Sequence, residues 1–151
     1  MVNHRNVNNK AQVKRLALLE KRLYVNEATV HVKNENYHKA MCLLNQALTL
    51  EPNDRNALIA RSKCHLLLGE PQKALQDAEN ALRYKMKSAN MAKAIYCKAE
   101  ALYHLGDYEM SLVYYYRGMR IRPEYGQFRL GVQKSKDAIK NVLHKDSTVI
   151  V

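Results

Sequence analysis

A repeat of about 34 residues constrains this chain more than any other feature. Small residues and a closing residue recur at fixed offsets: Ala40, Ala47 and Pro52, then Ala74, Ala81 and Met86, then Ser111, Gly118 and Pro123. The first shift is 34 residues and the second is 37. Turn-forming residues recur with them at 34–37, 69–71 and 106–108. Each unit therefore predicts two helices joined by a tight turn, and such hairpins bury their apolar faces by stacking on one another.

The period, the small residues, the aromatic after the turn and the closing proline together are typical of the tetratricopeptide repeat. We predict an all-α fold, a tetratricopeptide-repeat helical solenoid. It contains three helix-turn-helix repeats, at 21–54, 55–88 and 92–125, and a C-terminal capping helix at 127–143. The whole domain spans 10–143. Three extra residues near 87–89 either lengthen the second helix of the second unit or loosen its link to the third.

The two ends of the chain lack this pattern. Residues 1–9 are polar and rich in asparagine, which predicts a disordered N-terminal arm, and 144–151 is predicted to be a flexible tail. Between them, 11–33 reads as one long helix with Val13, Leu16, Leu19 and Leu23 on one side. This periodicity continues into the first repeat, which argues against a targeting segment. No run approaches the ~20 apolar residues of a membrane span, so we expect a cytoplasmic protein without a membrane partner.

Composition favours an acidic partner. The chain has 25 Lys and Arg against 14 Asp and Glu, a net charge of +11 and a pI near 9.6. Three cysteines, Cys42, Cys64 and Cys97, share no close spacing and are predicted to be reduced core or groove residues.

The sequence predicts no cofactor, no metal and no catalytic site, and hence no enzyme. His38 and Cys42 lie one turn apart, but no second pair completes a zinc site, so we interpret His38 as a surface residue and Cys42 as a packing residue. Asp77 and Glu79 flank Ala78 and point apart on a helix, which excludes an acid/base pair.

Two features of the third unit lead to packing predictions. Gly118 lies in mid-helix, where glycine is unfavourable, so we expect the first helix of the unit to pass close over it near Ala99. The run Tyr114–Tyr116 could indicate base stacking. Helical geometry spreads the three rings over different faces, so we favour core packing.

Function in such a fold is expected in the concave groove, lined mainly by the first helix of each pair. The candidate peptide-binding residues are Arg22, Asn26, Lys33, Asn56, Lys63, Lys93, Tyr96 and Tyr103. Among all the lining positions four cations face one carboxylate, Glu100. This mix suits an extended or helical peptide with acidic and apolar side chains. The alternative is that these charges are simply the solvated face of a basic protein.

The groove does not resemble that of domains that bind the C-terminal carboxylates of heat-shock chaperones. Those domains use a Lys and an Asn in the first unit, an Asn in the second, and a Lys and an Arg in the third. The matching positions here hold Val25, Thr29, Ala60, Lys93 and Cys97. One cation forfeits most of the charge-assisted hydrogen bonds of such a site, so a chaperone-tail adaptor is not favoured.

Three segments resemble a specific family: ALIARSKCHLLLGEPQKALQDAENAL (57–82), KAEALYHLGDYEMSLVYYYRGMRIRPE (98–124) and FRLGVQKSKDAI (128–139). They are similar to the N-terminal repeat domain of the tetratricopeptide repeat protein 25 family, subunits of the outer dynein arm docking complex. The resemblance implies a non-catalytic scaffold that helps anchor outer dynein arms to axonemal microtubules of motile cilia or flagella. The partners it implies are outer dynein arm or docking complex subunits.

Two alternatives stay open from the sequence. The first is a general cytosolic tetratricopeptide adaptor that binds an acidic peptide. The second, weaker one is a basic helical-repeat protein that binds nucleic acid, since the charge fits but no recognition motif is present.

Overall fold

Seven helices follow one another along the chain. The computed structural model describes residues 2–149, with side chains from 5 to 146. The helices are α1 (Val2–Lys33), α2 (Tyr37–Leu50), α3 (Arg55–Leu67), α4 (Pro71–Leu82), α5 (Ser88–His104), α6 (Tyr108–Ile121) and α7 (Gly126–Val149). No strand occurs within 2–149, and the predicted all-α tetratricopeptide-repeat solenoid is confirmed.

The three hairpin turns share one hydrogen-bonding pattern at the end of their first helix. At Glu35, Gly69 and Gly106 the backbone has positive φ (62°, 74° and 86°). In each turn this residue donates to the carbonyl three residues back, and the next residue donates to the carbonyl five residues back, as Glu70 does to His65 at 2.8 Å. This motif satisfies carbonyls left free at the helix end. Glu35 adopts the same left-handed conformation without the freedom of glycine.

Side chains at the starts of the helices reinforce most of the predicted boundaries. Asp54 accepts from the Ala57 amide at 3.0 Å, and Asp107 accepts from the Met110 amide at 3.2 Å. Pro71 occupies the first turn of α4. Asn36 stands at the N-cap position of α2 but its side chain makes no capping hydrogen bond.

Odd and even helices form two layers. Each helix packs on the next, and the odd helices also touch one another, α1 on α3, α3 on α5 and α5 on α7. Three apolar clusters fill the space between the layers. Ala40 and Leu44 centre the first, Leu58 and Ala78 the second, and Tyr115 and Phe128 the third.

The ends of the chain differ from the sequence expectation. Instead of a disordered arm over 1–9 and a flexible tail over 144–151, α1 begins at Val2 and α7 continues to Val149. Neither 2–10 nor 144–149 contains Gly or Pro, so nothing in them stops the adjacent helix from propagating. Residues 1, 150 and 151 lie outside the described residues.

Two packing expectations are resolved. The extra residues near 87–89 loosen the link between the second and third units, since α4 ends at Leu82 and 83–87 are non-helical. Gly118 is buried, as expected, but the helix over it is α7 and not α5. A Cβ on Gly118 would lie 2.1 Å from Cε1 of Phe128. It is Ser111 that meets Ala99, donating to its carbonyl at 2.9 Å.

Candidate peptide-binding groove

The structure places all eight candidate residues on the odd-helix layer. Arg22, Asn26 and Lys33 lie on α1, Asn56 and Lys63 on α3, and Lys93, Tyr96 and Tyr103 on α5. The six residues that are not tyrosines are exposed. Contacts of α3 with both α1 and α5 make this layer continuous, so one ligand could touch residues from all three units.

The four candidate cations on this layer have no carboxylate partner of their own. Within the described side chains, Arg22, Lys33, Lys63 and Lys93 take part in no ion pair, whereas Lys21, one residue before Arg22, bridges Glu51 and Asp54 at 2.5 and 3.0 Å. Unneutralised cations on one layer create a positive potential that attracts an acidic ligand.

Lys63 also acts on two buried thiols. Burial raises the pKa of Cys97 to about 11 and raises the pKa of Cys64, and the charge of Lys63 opposes both shifts. Both thiols are therefore neutral at physiological pH and serve as small packing residues.

The C-terminal end of the layer is closed by a polar cluster around Glu100. Its carboxylate accepts from Nζ of Lys134 on α7 at 2.6 Å and from the hydroxyl of the buried Tyr115. His104 lies beside it, 3.8 Å away. Burial and the Glu100 carboxylate raise the pKa of Tyr115. The single carboxylate that sequence analysis placed among the groove cations is thus already neutralised within the molecule.

The two groove tyrosines are partly used in packing. Tyr96 packs edge-on against Tyr115 and Phe128, with ring centroids 6.2 and 5.8 Å apart, and burial raises its pKa to about 12. Tyr103 lies 5.2 Å from the ring of Tyr108, and Nζ of Lys134 sits 4.5 Å from its centroid. Both rings are half-buried, so each has only part of its surface left for a ligand.

Lys134, the cation that pairs with Glu100, was not among the candidate groove residues predicted from the sequence. Lys134 is half-buried and turned toward α5. The repeat period could have predicted this position. Lys134 follows Glu100 by 34 residues, so α7 occupies the place of a fourth first helix, and its ninth position faces the same layer as Glu100.

Of the sequence predictions for the cysteines and His38, one is wrong. Cys64 and Cys97 are buried as expected, but Cys42 is exposed, because it lies on the side of α2 away from Ala40 and Leu44. His38 is exposed as expected.

The acidic pair and the tyrosine run behave as predicted. Asp77 is buried and accepts two hydrogen bonds from Arg61, whereas Glu79 is exposed. Of the three consecutive tyrosines, Tyr115 is in the core and Tyr116 is exposed.

Within the described part of the chain, no group of three His, Cys, Asp or Glu side chains could hold a metal ion. None of its helices is long and apolar enough to cross a membrane.

Comparison with known proteins finds a match to a repeat family and several similar proteins. The family model for the tetratricopeptide repeat matches residues 21–54, the range of the first predicted unit. Outer dynein arm-docking complex subunit 4 of Xenopus laevis is 44% identical over 126 residues, and that of Danio rerio is 44% identical over 130. Each match covers 83% of this chain but 23% and 25% of the relative, so the chain spans about a quarter of their length. The resemblance seen in the sequence is confirmed.

A solved structure gives the same fold. The first tetratricopeptide domain of Spaghetti (RPAP3), bound to the HSP90 peptide SRMEEVD, aligns with a TM-score of 0.74 at 16% identity. The alignment covers 81% of this chain and 94% of that one.

Proposed function

We propose that this chain, a tetratricopeptide-repeat solenoid, is a non-catalytic scaffold that binds an acidic protein segment along its odd-helix layer. Its similarity to docking-complex subunit 4 supports a role in docking outer dynein arms on axonemal microtubules of cilia or flagella. The partner is then an outer dynein arm or docking complex subunit, and the site of action is the axoneme.

The observation that carries the proposal is the set of unpaired cations on α1, α3 and α5. Three other cations near this layer, Lys21, Lys98 and Lys134, are instead paired with carboxylates of this chain. Arg22, Lys33, Lys63 and Lys93 are spread over three helices, so they match charges along an extended segment better than one carboxylate. Asn26 and Asn56 add exposed amide donors and acceptors to the same layer.

Charge reversal in the second and third units tests the proposal. Lys63→Glu with Lys93→Glu should weaken capture of dynein-arm or docking-complex subunits from axonemal extract about tenfold or more, since two attractive contacts become repulsive. Added salt should also weaken the unmodified chain. The matched control is Lys39→Glu with Lys140→Glu, which changes the net charge equally at exposed positions of α2 and α7.

Circular dichroism should show that both double variants are folded. A Lys63/Lys93 variant that is folded and captures the same subunits at unchanged affinity would contradict the groove. Nuclease treatment that removes the captured proteins would favour the nucleic-acid alternative.

A chaperone-tail adaptor, which the sequence does not favour, is tested with the peptide SRMEEVD, the ligand in the RPAP3 structure. We expect no saturable binding, since Lys93 is the only residue at the five carboxylate-binding positions that is of the type those domains use. Saturable micromolar binding of SRMEEVD would instead favour a chaperone-tail adaptor.

A further inference from the structure

The C-terminal half of α1, from Leu16 to Val30, carries an apolar stripe that no other part of the described chain covers. Leu16, Leu19, Leu23 and Val30 are 64%, 55%, 65% and 55% exposed, and Asn26 between them is exposed as well. We call these five residues the α1 seam. Leu19 is nine residues before the buried Ala28, which places the seam on the side of α1 opposite the face packed on α2 and α3.

In α3 and α5, the first helices of the second and third units, the equivalent surface is covered by the preceding repeat. The positions equivalent to Leu23 and Val30 hold Ala57 and Cys64 in α3, and Ala94 and Ala101 in α5, all fully buried. In those units the residues are small because the preceding repeat packs closely on them. In α1 they are large and uncovered. A surface left simply to water would not need leucine at these positions, and an exposed apolar stripe marks an interaction site.

The spacing of the seam is that of a coiled coil. Its residues follow intervals of three, four, three and four, so Leu16, Leu23 and Val30 take the a positions, and Leu19 and Asn26 take the d positions of a heptad. A single polar residue in such a seam fixes register at some cost in stability.

The charges beside the seam identify the occupant. Arg15 and Arg22 fall at g positions and Glu20 and Glu27 at e positions. In a parallel pair of identical helices, each g residue meets the following e residue of the other helix, so Arg15 meets Glu20 of the second copy and Arg22 meets its Glu27. An antiparallel pair would bring arginine near arginine and glutamate near glutamate. The charge pattern therefore fits a second copy of this chain in parallel orientation.

We propose that two copies of this chain associate through their α1 seams as a short parallel coiled coil. The two repeat domains then lie on opposite sides of the seam, because α2 and α3 pack on the far face of each α1. The odd-helix layers lie on the flanking faces. The inference does not depend on the groove ligand, but it takes Asn26 and Arg22 into the contact between copies and leaves Lys33, Lys63 and Lys93 for that ligand.

Sedimentation equilibrium of the intact chain tests this pairing. Between about 1 and 300 µM, a range suited to so small an interface, the mass should rise from 17.4 kDa toward twice that value. Leu23→Glu should abolish the rise. The matched control is Leu18→Glu, which changes an exposed leucine that is outside the seam and should associate like the unmodified chain.

A charge swap tests the parallel orientation. Arg15→Glu alone should weaken association at low salt at least severalfold, and adding Glu20→Arg should restore it. A chain that stays monomeric throughout would overturn the proposal, and is the result expected if a helix of another protein occupies the seam. Equal dimerisation of the folded Leu23→Glu variant, equal loss in Leu18→Glu, or no rescue by the charge swap would also contradict it.

Discussion

At the residue scale, a glycine in α6 and a glycine in α7 each leave room for an aromatic ring of the other helix. Phe128 of α7 lies over Gly118, and Tyr115 of α6 lies over Gly131. A Cβ on Gly131 would be 2.3 Å from Cδ1 of Tyr115, closer than non-bonded atoms approach. Because both rings are fully buried, neither can swing away into solvent. The glycines therefore contribute through the space they leave and not through backbone flexibility.

Adding one methyl group at this contact should destabilise the protein. Gly118→Ala is expected to lower the free energy of unfolding by about 1–3 kcal/mol through overpacking, although alanine is the better helix former. Chemical denaturation followed by circular dichroism measures the change. Gly126→Ala is the control, since no atom lies within 4 Å of the added Cβ. A Gly118→Ala protein at least as stable as the unmodified one would show that the contact is looser than described.

At the element scale, an ion pair between the half-buried Arg61 and the buried Asp77 holds α3 on α4 and reaches α2. Arg61 donates to both carboxylate oxygens of Asp77 at 2.7 and 2.8 Å and to the side chain of Asn45 at 3.1 Å. His65 approaches the same carboxylate at 3.6 Å. The hydrogen bond to Asp77 raises the pKa of Arg61, so the guanidinium stays charged across the physiological range.

Removing the cation should cost more than removing the pair. Arg61→Met leaves the Asp77 carboxylate buried with only His65 beside it, and should destabilise by about 2–4 kcal/mol. Arg61→Met with Asp77→Leu should recover a large part of that loss, because no uncompensated charge remains. Urea denaturation of the unmodified chain, the two single variants and the double variant gives the change in the free energy of unfolding for each step of this double-mutant cycle. Lys73→Met, which breaks an exposed pair with Glu70, is the control and should change stability little. If the single and double variants are equally unstable, packing and not charge explains the loss.

Most helices and turns could be predicted from the local sequence pattern. The features that could not be predicted depend on contacts between residues far apart in the chain. The turns at Gly69 and Gly106 and the caps at Asp54 and Asp107 involve contacts within five residues, so local sequence is enough to predict them. The partner of Gly118 and the burial of Lys134 depend on how α7 docks, which no local pattern encodes. The groove residues were placed on the correct helices by periodicity. The neutralisation of Glu100 was missed because its partner lies 34 residues away.

At the scale of the whole molecule, the two ends of the solenoid are built differently. At the C-terminal end, α7 covers α5 and α6 with Phe128, Val132 and Ser135, all buried. At the N-terminal end, every described side chain of α1 up to Leu16 is exposed, and nothing in the described chain covers the α1 seam. A stack of repeats depends on contacts between neighbours, so its stability is most sensitive to loss of the closing helix.

Truncation after Tyr125 tests this dependence by removing α7. It exposes Tyr115 and Tyr96, and the lost burial of Phe128 and Val132 alone amounts to about 3–6 kcal/mol. The melting temperature should fall by roughly 10 °C or more, with aggregation on heating that light scattering detects. Truncation after Leu143 is the control, since the described side chains it removes are exposed, and it should melt close to the full chain. A chain ending at Tyr125 that stays monomeric with an unchanged melting temperature would show that α7 does not close the solenoid.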